Sequence, residues 1–503
     1  MTALFVLAPV IVLAVSALTA IVIFLLPEEA GRARTRLNLT AAALKLALVV
    51  VIVPFVFDQN YPALGWELLP GVRLELRIDS FSVLFALLSS LLWLATTLYA
   101  IGYLHGGQHQ RRFFGFFSLC VTATVGIAFA GNLVTFVVFY ELLTLVTYPL
   151  VAHSATPEAL RAARTYLAYA LTGGLLVLVG TVALHTFAGA SDFVGGGNPA
   201  VADFVANRPL AATVVFWVLV TGLGVKAALV PLHGWLPIAM VAPAPVSALL
   251  HAVAVVKAGA FGLVRVVDDV FGVGIARDLG VLDPLLVWAA ITILYGSFRA
   301  LTQNDLKKRL AFSTVSQVSY ITLGLAMFGV VATTGGVVHL FHQGITKITL
   351  FFCAGLYAER LGAKTVGSLA GMGRRMPWTS VAFTIGAFGM IGLPPLAGFV
   401  SKWTLAQGAL AADRSWVVGV LVLSAALNCA YFLPIVYRIW APREAVAGRE
   451  AVAGDAPPRT RPFGLMLWPA VATGVLAVAA GLFAGMPFAP LDFAGLIAER
   501  SYP

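Results

Sequence analysis

Four lysines and one glutamate stand where the chain offers little else that is polar. Lys226, Lys257, Lys347, Lys402 and Glu141 all fall well inside long apolar runs. The glutamate sits in the middle of 132-NLVTFVVFYELLTLVTYPLV-151, and His251, His339 and His342 have similar surroundings. An ionisable group at bilayer depth costs at least about 2.5–3.5 kcal/mol on insertion scales, so such groups mark ion or proton pathways. A buried lysine can lose its proton, whereas arginine is effectively always charged. A path that gains and releases protons therefore calls for lysine, and here arginine is the loop residue. The competing reading of each group is a packed, satisfied structural ion, which becomes harder to hold for five at once. Lys45 is the exception: it lies inside a run but near an end, where snorkelling to the interface accounts for it.

Spacing refines the set. His251 and Lys257 are six residues apart, about 240° around a regular helix, so a relay along the bundle fits better than a shared metal site. His339 and His342 are three apart and share a face, but no cysteine or carboxylate lies near enough to complete a metal set. Ser313, Thr314, Ser316 and Gln317 in one span, with Ser247, Gln343 and Ser401 elsewhere, are placed to hold water or to hydrogen-bond between helices.

Two of the lysines sit beside helix breaks. Lys226 lies in 221-TGLGVKAALVPLHGWLP-237, with Gly222 and Gly224 before it and Pro231 after it. Lys402 lies in 389-GMIGLPPLAGFVSKW-403, with Gly392, Pro394, Pro395 and Gly398. Proline interrupts the helical ladder, and the freed carbonyls admit water that makes a buried lysine tolerable. The two broken spans are five apart and so enter the membrane in opposite senses, the trace of inverted repeats around a midplane site.

The elements that must position these residues follow from composition. The 503 residues are 60% hydrophobic and 11% charged, with a mean hydropathy of +0.94; soluble chains carry roughly a quarter of their residues as charges. The expectation is an all-α polytopic membrane protein with about fourteen spans, the seventh and twelfth discontinuous. Approximate limits are 3–26, 38–57, 80–102, 113–130, 132–152, 162–188, 208–230, 244–267, 282–301, 308–328, 331–358, 380–408, 415–440 and 463–485. The organisation expected is 1–111 for spans one to three, 112–267 and 282–440 for two five-helix repeats, 441–462 for a cytoplasmic linker and 463–503 for the last span and an external C-terminus. Residues 58–79 are expected to form an external hairpin.

Basic loops alternate with loops that are neutral or acidic, the latter including Asp268, Asp269, Asp278 and Asp283. By the positive-inside rule the basic loops are cytoplasmic, which places both termini outside a cell (inner) membrane. The N-terminal run has no basic residues ahead of it and reads as a retained span, not a cleaved signal. The net charge of +10 sits in short loops and does not suggest nucleic acid. Cys120, Cys353 and Cys429 fall at unrelated spacings inside apolar runs, and no phosphate loop, CxxC pair or flavin or haem signature appears. No bound cofactor, no metal and no catalytic chemistry of the chain's own is expected.

The stretches FYELLTLVTYPLVAH (139–153), GVKAALVPLHGWLPIAMVAPAPVSALLHAVAVVKAG (224–259), LKKRLAFSTVSQ (306–317), KITLFF (347–352) and IGLPPLAGFVSKW (391–403) carry a resemblance. The chain resembles the large antiporter-like subunits shared by Mrp-type cation/proton antiporters, respiratory complex I and membrane-bound hydrogenases, and within them looks most like the Mrp D subunit. The resemblance implies that Glu141 and Lys226 form a charged pair, that Lys257 is a central connecting lysine with His251 nearby, that Lys347 continues the axis and that Lys402 ends it. Some complex I subunits have an acid at the last position, so Lys402 favours an Mrp-like reading. The family often has a histidine four residues before the lysine of span eleven; here Gln343 stands there and His342 one position earlier. The function expected is that of a proton-translocating subunit of a multi-subunit Na+/H+ antiporter, with other membrane subunits and lipids as partners. The alternatives are a proton-pumping subunit of a redox complex and a non-transporting scaffold.

Overall fold

The computed structural model describes residues 2–57, 63–69, 71–189, 191–442 and 463–502, with side chains from Val6 onward. The 441–462 linker expected from sequence lies, from residue 443 on, outside the described residues. Apolar sequence of this length folds into helices because hydrocarbon offers no partner to backbone N–H and C=O groups. The helices are α1 (Thr2–Leu25), α2 (Gly31–Phe57), α3 (Ser80–Tyr103), α4 (Gln110–Phe129), α5 (Leu133–Val151) and α6 (Pro157–Ala188). A short α7 (Pro199–Asn207) precedes α8 (Pro209–Lys226), followed by α9 (Ala244–Phe271). Next come α10 (Leu282–Leu301), α11 (Leu306–Ala326), α12 (Val330–Leu361), α13 (Pro377–Ile391), α14 (Ala397–Ala411), α15 (Ser415–Trp440), α16 (Phe463–Leu482) and α17 (Pro490–Ser501). Twelve of these are long and apolar enough to cross a membrane. The serine-rich α11 and the half-helices α13 and α14 occupy the other two expected spans.

Polar residues set the ends of the helices. Asp79 and Ser82 cap α3 reciprocally, while Asn132, Thr156 and Asp305 accept backbone N–H groups at the starts of α5, α6 and α11. At one end of the bundle a hairpin of β1 (Ala63–Leu69) and β2 (Val72–Arg77) lies against the α4–α5 turn. Gly131 N donates to Glu75 O, and Glu75 N to the Thr135 hydroxyl, both at 2.8 Å. The segment 191–198 joins this end through Leu133 N to Ser191 O and Val194 N to Asp269 O. The 18-residue windows of α9 and α12 that would cross the membrane are wholly buried, and these two helices form the middle of the bundle.

Two expectations fail here, in places where a helix runs further than its apolar stretch. α2 begins at Gly31 and not near residue 38, and Lys45 is turned into the bundle and not along the helix toward an interface. Lys45 is fully buried, and its Nζ donates to the Ser16 hydroxyl at 2.6 Å. α9 extends to Phe271, so Asp268 and Asp269 are buried helix residues and not loop acids. Arg265 bridges Asp79 (2.9 Å) and Asp269 (2.5 Å), Arg500 of α17 adds a 3.0 Å bond to Asp269, and Ser501 donates to Asp268 at 3.2 Å. This buried ionic cluster fastens α17 to α3 and α9. Burial pushes the Asp79 carboxyl up, but Arg265 and Arg500 outweigh it and hold it well below the usual carboxylate range.

Candidate functional site

Glu141 on α5 and Lys226, the last residue of α8, meet at 4.0 Å between Oε1 and Nζ. Lys226 is fully buried; its Nζ donates to the Tyr140 carbonyl at 2.5 Å and stands 3.2 Å from the centre of the Tyr140 ring. Unit charges at this separation attract by about 4 kcal/mol at an effective dielectric of 20. α6 makes room for the carboxylate, since a side chain at Gly174 would occupy the place of Glu141 Oε1. Glu141 keeps 29% of its side-chain surface exposed, beside the exposed Val138, Leu145, Leu171 and Leu175.

The break after Lys226 is built differently from what the sequence suggests. Gly222 and Gly224 lie inside α8, and Gly222 is a packing glycine: a Cβ there would stand 2.6 Å from the Gly173 carbonyl of α6. The helix stops at Ala227–Ala228, where Ala228 takes a φ of 59°, and the Val230–Pro231 bond is cis. Indoles capture carbonyls at the break, Trp235 Nε1 donating to Val225 O at 2.8 Å and Trp288 Nε1 to Val230 O at 2.5 Å.

Lys257 on α9 donates across to the Leu340 carbonyl of α12 at 2.8 Å. The 240° separation reckoned for a regular helix does not apply, because Leu249–Val253 is widened to π geometry and Ala254 breaks the run at φ −121°. His251 takes partners other than those of Lys257. It stacks on Phe351 with 4.5 Å between ring centres, its Nε2 is 3.2 Å from Met240 Sδ, and its charged neighbours are Lys347 and Lys307. These contacts place the His251 ring against Phe351, one turn along α12 from Lys347.

Lys347 on α12 opens a hydrogen-bonded series. Its Nζ donates to Ser313 Oγ of α11 at 2.8 Å, and Ser313 meets the Tyr431 hydroxyl of α15 at 2.9 Å. Tyr431 donates to Asn428 Oδ1 at 2.5 Å, and Asn428 Nδ2 donates to the Met390 carbonyl at 3.1 Å. Lys402 of α14 donates to the same Met390 carbonyl at 2.6 Å and to Ile391 O at 3.1 Å. A phenol has one hydrogen and an amide oxygen only accepts, so Ser313 is the donor to Tyr431. Lys347 and Lys402 are thereby joined through Ser313, Tyr431, Asn428 and one carbonyl freed by the α13–α14 break. Gly392 is required there twice over: its φ is 95°, and a Cβ would stand 2.8 Å from Lys402 Cδ. The Pro394–Pro395 bond in this break is also cis, and Gly398, in the first turn of α14, packs directly on the Gly389 carbonyl.

Beside this series His339 Nδ1 lies 2.8 Å from Ser401 Oγ, and its ring stacks on Tyr320, 5.1 Å between centres. Lys402 Nζ stands 5.3 Å from the same tyrosine ring. His342, Gln317 and Gln343 are buried, with His342 beside the Ala397 backbone and Gln317 beside the Tyr320 hydroxyl, and their polar atoms make no hydrogen bond of good geometry within the protein. Buried polar groups of this kind are the places where proteins hold internal water. Two of the serines singled out in the sequence point elsewhere. Ser316 joins Ser297 at 2.8 Å, which reaches Ser424 at 3.2 Å; Ser247 bonds the Ala242 and Pro243 carbonyls and accepts from Lys307 at 3.3 Å. Thr314 returns to the Leu310 carbonyl of its own helix.

Sequence reasoning missed Asn428, Tyr431, Tyr140, Tyr320 and Gly174. Asn428 left a signal, as the one amide side chain in α15 with Tyr431 three residues on, the spacing of one helix face.

The profile described as NADH:quinone oxidoreductase/Mrp antiporter, transmembrane, matches residues 130–428. That for NADH-ubiquinone oxidoreductase (complex I), chain 5 N-terminus, matches 71–114. The chain is 35% identical to NADH-quinone oxidoreductase subunit N of Desulforudis audaxviator (strain MP104C) over 441 residues, 84% of each protein. It is 31% identical over 386 residues to the putative antiporter subunit mnhA2 of Staphylococcus aureus (strain JH9), covering 72% of this chain but only 47% of that longer relative. Its fold matches a chain in the structure of the Mrp complex from Dietzia sp. DQ12-45-1b with a TM-score of 0.85 and 27% identity, covering 100% of this chain and 98% of that one.

Proposed function

Because the chain belongs to the NADH:quinone oxidoreductase/Mrp antiporter membrane-subunit family, we propose that it moves protons as one subunit of a multi-subunit Na+/H+ antiporter. The observation that carries this is the row of buried lysines, Lys226, Lys257, Lys347 and Lys402, opened by a carboxylate 4.0 Å from the first. With Glu141 beside it, Lys226 is stabilised as the ammonium ion. Withdrawing Glu141 leaves that charge unpaired in a buried site and drives the proton onward. Glu141 is the partly exposed member of the pair, so a neighbouring membrane subunit packed on α5 and α6 is positioned to move it. The basic loops face the cytoplasm, both termini face outward, and the two breaks belong to inverted repeats of five spans each. A scaffold would have no use for these lysines, since apolar residues would fill the same places without desolvation cost.

Lys226→Ala and Glu141→Ala are expected to abolish cation-driven proton flux in vesicles while the complex still assembles; full flux in both variants sinks the reading. A second reading, a proton-pumping subunit of a redox complex, is favoured by the 35% identity to a complex I subunit N over 84% of both chains. Copurification in mild detergent separates the two: antiporter subunits as partners support the first, and redox subunits support the second.

A further inference from the structure

The lysine row leaves one buried lysine unused. α1, α2, α3 and α4 pack together, and Lys45 of α2 is fully enclosed among them. Its Nζ donates to Ser16 of α1 at 2.6 Å and stands 5.5 Å from the Trp93 ring of α3. Ser16 also accepts from Thr122 of α4 at 2.8 Å. Among the described residues no acidic side chain forms an ion pair with Lys45. The nearest charges along the buried face of α2 lie at its start: Arg34 donates to Gln110 Oε1 at 3.0 Å and to the Glu28 carbonyl at 3.2 Å. A lysine kept so deep without a counter-charge is costly as a mere packing element, since an apolar residue would fill the place at no such cost.

The surroundings are polar on one side. Asn38, two turns from Lys45 toward Gly31, donates to the Arg34 carbonyl at 2.9 Å, and its Oδ1 has no protein partner. Thr97, one turn from Trp93 toward the same end, and Ser118, one turn from Thr122 toward it, carry buried hydroxyls that are likewise unpartnered. Three helices thus line one stretch, between Lys45 and the Arg34–Gln110 face, with polar atoms that take water. In the other direction α1 and α2 present Val12, Val49, Ile52 and Val56, and the further polar groups are Ser89 and Ser90 of α3.

We propose that Lys45 is a proton-binding site separate from the row that runs from Glu141 to Lys402, loaded and unloaded through a water-filled path past Asn38, Thr97 and Ser118 that opens at the Arg34–Gln110 face. The proton passes from water to Nζ and returns by the same path, so the site carries no net flux itself and acts on transport through the charge it sets among α1, α3 and α4.

The test uses the full chain in its assembled complex in membrane vesicles, with Cys120, Cys353 and Cys429 replaced by alanine. Asn38→Cys and Ser118→Cys are expected to react with a small membrane-impermeant cationic methanethiosulfonate, from the Arg34 side only, at least tenfold faster than Val49→Cys. Rates no faster than Val49→Cys, with Thr35→Cys at the mouth reactive, overturn the path. Lys45→Met is expected to lower cation-driven proton flux at least fivefold, and Lys45→Arg, which keeps the charge but cannot release a proton, is expected not to restore it. Unchanged flux in Lys45→Met, or restoration by arginine, overturns the proton-site assignment. The flux arm rests on the proposed transport function. If the unsubstituted complex shows no flux, that function fails, and the modification rates alone decide the path.

Discussion

Tyr431→Phe removes a single oxygen from the series joining Lys347 to Lys402. The lost hydroxyl makes two hydrogen bonds, at 2.9 Å with Ser313 and 2.5 Å with Asn428. Each is worth about 0.5–1.5 kcal/mol net, and leaving the buried Asn428 Oδ1 unpaired costs about 1–3 kcal/mol. Asn428 also holds the Met390 carbonyl to which Lys402 donates, so the loosened amide transmits the loss to the second lysine. If about 1.4–2.7 kcal/mol of this falls on the slowest step, proton flux drops about tenfold to a hundredfold. The assay is cation-driven flux in vesicles, normalised to assembled complex, with Asn428→Ala measured alone and with Tyr431→Phe. The double variant is expected to lie within about threefold of the worse single one, because both changes break one connection. Losses that simply add, or a Tyr431→Phe variant with unaltered flux, refute the reasoning.

Three further outcomes rest on close contacts. Gly174→Ala places a methyl group where Glu141 Oε1 lies and is expected to reproduce the flux loss of Glu141→Ala with every charge still present; normal flux would show that the carboxylate has room to spare. Gly392→Ala meets both a φ of 95° and Lys402 Cδ at 2.8 Å, and a loss of flux with a Tm lowered by several degrees is expected in detergent-purified complex. Asp79→Asn breaks the buried pair with Arg265 and is expected to cost about 3–5 kcal/mol near neutral pH. Because the Asp79 carboxyl is held below its ordinary 3.8, its contribution is complete above that value and fades as pH falls beneath it. Thermal unfolding should therefore show the gap between Asp79→Asn and the unsubstituted chain narrowing at low pH.

Apolar runs reveal spans because bilayer thickness fixes their length, and prolines near Lys226 and Lys402 reveal that two spans are interrupted. Helix ends are less legible: polar turns extend α2 and α9 past their apolar cores, and the extension of α9 makes Asp268 and Asp269 buried helix residues. The lysines and Glu141 are visible as costly residues in costly places. Their partners are legible only in part: Ser313 stands out as a polar residue of its span, whereas Tyr431 and Asn428 do not, because which helix faces meet is decided by packing. The contacts of His251 with Phe351 and Met240 are likewise set by packing, on a turn widened to π geometry.

The amide of Asn428 has a consequence for leakage. A chain of hydroxyls can hand a proton along by exchanging donor and acceptor roles, but a carboxamide offers fixed donors on one atom and a fixed acceptor on another. The series from Lys347 through Ser313 and Tyr431 therefore ends, for a proton, at Asn428, although its hydrogen bonds continue to the Met390 carbonyl. The two lysines are tied together in position and insulated from each other along this route. A membrane protein that works against an ion gradient needs that insulation, since an unbroken conductor between its two sides would discharge the gradient it depends on.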